Sequence, residues 1–102
     1  MNVATRFGKN LTHHRKRAGL SQEQLARRAS LHRTQISLLE RGRRVPRIDT
    51  LAKLAGALAV FPAELLDGIE WAPASSGRFW IAGDDADSGP AQAGRGSPTR
   101  SA

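Results

Sequence analysis

Between Ser21 and Gly42 the chain reads SQEQLARRASLHRTQISLLERG, two short helical patterns joined by a tight turn, Ser30-Leu31-His32. Leu25, Ala26 and Ala29 form one stripe of the first pattern. In the second, steps of about 100° per residue put Ile36, Leu39 and Glu40 on a common side. Ser21 opens the first helix with a capping box completed by Gln24. Glu23 suits the dipole at that end, and Arg27 and Arg28 suit the other. Ala26 matters by being small, because a larger side chain would hold the following helix away. The second helix is expected over Arg33 to Arg41, with Gly42 where a left-handed cap belongs. Two helices crossing this closely present the outer face of the second, Thr34, Ser37, Leu38 and Arg41, to whatever lies beyond.

The pair depends on the chain around it. Thr5 to Ala18 reads as a preceding helix, with Thr5 as N-cap, Gly19 as stop, and Phe7, Leu11, Arg15 and Ala18 along one stripe. Arg15 is the odd member, a cation where an apolar side chain is expected, so it requires a buried or half-buried acidic partner. After Gly42, Arg43, Arg44 and Arg47 with Val45-Pro46 read as a basic loop, because Pro46 restrains itself and its predecessor. Ile48 to Leu58 is a fourth helix, with Asp49 in its first turn and Leu51, Leu54, Ala55 and Leu58 as its core stripe. Phe61 to Leu66 reads as a short fifth helix with Pro62 in its first turn, ended by Asp67-Gly68.

Beyond Gly68 the character changes. Ile69-Glu70-Trp71 and Arg78-Phe79-Trp80-Ile81 are β-favouring runs around a loose loop, which suggests a hairpin. An isolated hairpin is marginal in water, so it should lie on the helices or pair with a second subunit. From Gly83 onward there is almost nothing to bury, and disorder is expected. The division is therefore a helical domain over 1–68, an aromatic hairpin or docking segment over 69–82, and a disordered tail over 83–102.

Composition excludes several function classes. The 102 residues leave room for one domain and a tail, and no cysteine is available for a disulfide or thiolate metal site. The longest uncharged run, Leu54 to Ala63, is ten residues, against the roughly 20 that a membrane span needs. No secretory leader opens the chain, and a cytoplasmic protein is expected. His13 and His14 are adjacent and diverge by about 100° on a helix, and His32 has no companion, so neither a metal nor another cofactor is expected. No nucleophile-base-acid set or phosphate-cradling loop points to an enzyme. Charge points elsewhere: of the net +7, Met1 to Leu58 carries 13 Lys and Arg against three acids, a balance of +10, and the remainder carries −3. A basic block of this kind favours a polyanion, whose condensed counterions are released on binding.

The segment AGLSQEQLARRASLHRTQISLLERGRRVP, followed by DTLAKLAGAL, resembles the lambda-repressor-like helix-turn-helix proteins of the Cro and xenobiotic-response-element type. The resemblance runs from about Arg6 to Leu66. It implies an all-α, five-helix DNA-binding domain whose third helix enters the major groove while the second crosses the backbone. It further implies that Arg33, Thr34, Ser37 and Leu38 reach base edges, and that Gln22, His32, Arg41, Arg43 and Arg44 meet the DNA backbone. Arg15 and Glu40 match a structural ion pair between the first and third helices. Ser30 stands where the family often has glycine, and His32 where a Ser or Thr cap is usual. The expected function is a sequence-specific transcriptional regulator, a homodimer on double-stranded DNA associated with the bacterial nucleoid. The alternative is a DNA-binding antitoxin or regulatory subunit that docks a protein partner through Trp71, Phe79 and Trp80.

Overall fold

The computed structural model describes residues 1–73 and 78–81. Five helices follow in order: α1 Val3–Arg17, α2 Gln22–Ala29, α3 Arg33–Glu40, α4 Ile48–Leu58 and α5 Pro62–Leu65. Two strands then form, β1 Ile69–Ala72 and β2 Arg78–Ile81, so the described residues are mostly helical with one small hairpin. The tail expected to be disordered lies outside the described residues.

The helices pack as a closed ring, α1 on α3, α3 on α2, α2 on α4, α4 on α5 and α5 back on α1. Their inner stripes meet in one core: Phe7 and Leu11 from α1, Leu25, Ala26 and Ala29 from α2, Ile36 and Leu39 from α3, Leu54, Ala55 and Leu58 from α4, and Leu65 from α5. Leu51, expected in that core, is half-buried at its edge. Antiparallel pairing sets Ile69 opposite Ile81 and Trp71 opposite Phe79 in the hairpin, and both strands lie beside α1.

Local chemistry sets the ends of the elements and moves several of the expected boundaries. α1 begins two residues before Thr5: Asn2 is the N-cap, and its side chain accepts the Thr5 N–H at 2.8 Å. Asparagine caps at least as well as threonine, and Thr5 is taken into the helix. Ser21 and Gln24 form the reciprocal box, with Ser21 Oγ accepting the Gln24 N–H at 3.0 Å and Gln24 Oε1 accepting the Ser21 N–H at 2.8 Å. α3 ends at Glu40 and Arg41 caps it. α5 keeps Pro62 in its first turn, while Phe61 stays outside the helix and 76% exposed.

Four of the helices leave through a left-handed residue, Gly19, Ser30, Gly42 and Ala59. In each case the next N–H turns back to a carbonyl in the last turn, Leu20 to Arg15, Leu31 to Ala26, Arg43 to Leu38 and Val60 to Ala55, at 2.8–3.1 Å. That closure satisfies carbonyls a helix end would leave bare. Gly42 is doubly constrained, since a Cβ there would also sit 3.0 Å from Thr5 Oγ1.

Candidate nucleic-acid interface

The α2–α3 pair presents a polar, basic surface because its apolar stripes are used up inside. Leu25, Ala26, Ala29, Ile36 and Leu39 are all buried. The opposite side of α3 carries Arg33 and Thr34, both exposed, and Ser37 and Leu38, both half-buried. Leu38 is thus less open than a position reading purely outward. Arg41 is exposed, and its Nε donates to the Ser37 carbonyl at 3.4 Å. Arg43 and Arg44 follow in the loop, exposed as well.

His32 occupies the N-cap of α3 with no hydrogen bond from its side chain to the helix. Gln35 makes up for this by reaching back, its Oε1 accepting the His32 N–H at 3.0 Å. The imidazole remains exposed at the surface beside Arg33.

One ion pair holds this surface to the rest of the fold. Arg15 of α1 donates from Nε to Glu40 Oε2 at 2.6 Å and from Nη2 to Glu40 Oε1 at 3.0 Å, a two-pronged contact. The two side chains are only 12% and 6% exposed. The third nitrogen, Nη1, donates to the Leu20 carbonyl at 2.9 Å in the loop between α1 and α2. Burial pushes the Glu40 carboxyl up. Hydrogen bonds from Arg15 and Gln22, with the charge of Arg15, outweigh it and leave the group below its usual range. The bond to Glu40 likewise holds the Arg15 guanidinium above its ordinary value, against the opposing effect of burial. Glu40 is therefore a carboxylate at neutral pH, and the cation on the α1 stripe has its acid.

Gln22, expected at the DNA backbone, has an internal partner as well. Its Nε2 donates to Glu40 Oε1 at 3.0 Å, so the first turn of α2 is tied to the last turn of α3. Gln22 nonetheless reaches the surface, lining an open cleft of about 500 Å³ together with Arg15, Ser21, Glu23 and Arg33. The cleft brings together Arg33, expected to read a base, and Gln22, expected to meet a phosphate. Glu23 and Ser21 at its wall escaped sequence reasoning as surface residues, because the capping box and the helix dipole already accounted for both.

A second position missed in the sequence is Gly8, buried in α1. A Cβ there would stand 2.5 Å from the Leu39 carbonyl oxygen and 2.7 Å from that of Glu40. α1 and α3 approach backbone to backbone at the very turn that carries Glu40. A glycine in the middle of an otherwise helical pattern was the only available signal.

Among the described residues no helix is long and apolar enough to cross a membrane, and no group of three or more His, Cys, Asp or Glu could hold a metal ion.

Residues 6–67 match a family model described as a helix-turn-helix domain. The chain is 42% identical over 67 residues to the control protein C.BamHI of Bacillus amyloliquefaciens, covering 65% of this chain and 83% of that one. The crystal structure of the restriction-modification controller protein C.AhdI from Aeromonas hydrophila is similar with a TM-score of 0.60 and 40% identity, over 61% of this chain and 94% of that one. The biofilm master regulator SinR, solved in complex with DNA, is similar with a TM-score of 0.58 and 32% identity, over 60% of this chain and 98% of that one.

Proposed function

The chain belongs to the helix-turn-helix domain family, and from that premise we propose that it is a sequence-specific DNA-binding transcriptional regulator. It acts as a homodimer on a pseudo-palindromic site in the bacterial nucleoid, with half-sites about 34–36 Å apart. The observation that carries this reading is the outward side of α3. Arg33, Thr34, Ser37 and Leu38 lie along it, and Arg41, Arg43 and Arg44 lie exposed at its end. In the major groove Arg33 makes a two-pronged contact to guanine, and Leu38 meets a thymine methyl group. Arg41, Arg43 and Arg44, with Gln22 and His32, position the protein on phosphates without choosing bases. Regulation is by occupancy of the site, with no reaction catalysed. The partner-docking alternative has only Trp71, 52% exposed on β1, to favour it among the described side chains, so the DNA reading is preferred.

Selection from a random pool of duplex DNA at two salt concentrations tests this reading. An enriched motif with two related half-sites is expected at both concentrations, and an unenriched pool overturns it. Arg33→Ala should then lose discrimination at one base pair per half-site, worth about 1–3 kcal/mol, with the other positions unchanged. Uniform weakening on every sequence would instead assign Arg33 to a phosphate.

A further inference from the structure

Glu40 does more than balance Arg15. Its Oε2 accepts from Arg15 Nε, while its Oε1 accepts from both Arg15 Nη2 and Gln22 Nε2. One carboxylate thus gathers side chains from α1 and α2 onto α3. A glutamine in the first turn of a helix ordinarily samples several rotamers, and its amide can present either the oxygen or the nitrogen to a ligand. Here neither freedom remains. An ionised carboxylate can only accept, so the amide nitrogen of Gln22 must point at Glu40. The second hydrogen of that nitrogen stays available, and Gln22 still borders the cleft it shares with Arg33.

We propose that Glu40 is a positioning residue for DNA binding, acting through Gln22: it fixes the Gln22 amide so that the remaining N–H is held ready for a backbone phosphate oxygen. The inference rests on the reading of Gln22 as a DNA-backbone contact. Two features favour positioning over a purely structural bond. Arg15 already joins α1 to α3 and to the α1–α2 loop by itself, so the fold does not require Gln22 as a third tie. Arg15 also neutralises Glu40, so a carboxylate close to the phosphate path does not repel it and can serve as an orienting acceptor. Ordering a side chain before binding removes part of the entropic cost of ordering it on the DNA.

Two measurements on the full chain test the proposal. In the free wild-type protein, nitrogen-15 NMR should show the Gln22 side-chain NH2 as a rigid pair, as ordered as the backbone. A pair as mobile as that of an unrestrained glutamine overturns the proposal. Affinity for the selected operator is then compared for wild type, Gln22→Ala, the double variant Arg15→Met with Glu40→Leu, and the triple variant. The apolar double variant removes both charges together, which keeps the helices packed where a single charge deletion would strand its partner. Gln22→Ala is expected to weaken binding about tenfold, the scale of one hydrogen bond to a charged group. The double variant should weaken binding by a similar factor, and the triple variant by no more than either. Independent losses that multiply in the triple variant overturn the positioning role and leave the Gln22 contact standing. An unchanged affinity in Gln22→Ala overturns the contact itself, and the proposal with it. Should the apolar variant not fold, the NMR order of Gln22 in the wild-type protein decides alone.

Discussion

Ser30 and Ala59 do with a side chain what Gly19 and Gly42 do without one. All four hold a left-handed backbone, with φ of 57° and 59° at the two residues that carry a Cβ. The cost for such a residue is about 1–2 kcal/mol, from crowding between its Cβ and the following carbonyl. The closures behind them compensate: Leu31 N–H reaches Ala26 at 2.8 Å and Val60 N–H reaches Ala55 at 3.0 Å, while Leu31 and Val60 pack on the core. Ser30 is exposed, so replacing it should forfeit little packing. Ser30→Gly is therefore expected to stabilise the domain by about 1 kcal/mol after the extra backbone entropy of glycine is set against the relieved strain. The check is an increased urea midpoint at unchanged slope; a lower midpoint would mean that the serine side chain contributes more than the strain costs. The family resemblance pointed to Ser30, which stands where glycine is common and where a left-handed backbone is therefore expected. Ala59 carried no such mark, since an alanine at the end of an apolar stripe looks like one more helical residue.

Helices set next to one another bring Gly8 into view. By propensity alone Gly8→Ala should help α1, since alanine exceeds glycine by roughly 1 kcal/mol in a helix interior. Packing opposes it. The new Cβ would meet the backbone oxygens of Leu39 and Glu40 at 2.5 and 2.7 Å, and neither atom can rotate aside. α3 must shift, and overpacking of this kind costs about 1–3 kcal/mol, occasionally more. Gly8→Ala is expected to lower stability by about 1–2 kcal/mol net. Because the displaced turn holds Glu40, it should weaken operator binding as well. Chemical denaturation and a binding isotherm on the same sample check both; a stabilised variant would show that α3 can retreat at no cost. The other elements were more legible. The boundaries of α4 follow directly from its 3.6-residue stripe and Asp49, whereas the start of α1 is hidden in the sequence because Asn2 lies outside the apolar pattern that signals the helix.

At the scale of the whole molecule, charge and shape act together. Thirteen Lys and Arg fall in Met1 to Leu58 against three acids, and Arg41, Arg43 and Arg44 stand exposed at the end of the α3 surface. Each phosphate neutralised on duplex DNA contributes about 0.9 to the slope of log affinity against log salt. The combined variant Arg43→Ala with Arg44→Ala should lower that slope by about 2 while leaving the preferred sequence intact. Titrations at four salt concentrations measure it, and an unchanged slope would remove these arginines from the DNA backbone. The sequence by itself determined the helical class, the core stripes, the capping box at Ser21, the left-handed Gly42 and the basic side of the molecule. Each is a local matter of periodicity, backbone conformation or composition, and such signals survive in one dimension. Resemblance to a family added the pairing of Arg15 with Glu40. Only the tertiary structure decided that Gln22 shares the Glu40 carboxylate, that Leu38 is half-covered and that Gly8 lets α1 and α3 touch. Those are distances between residues 18 to 32 positions apart in the chain, set by how the closed ring of helices packs.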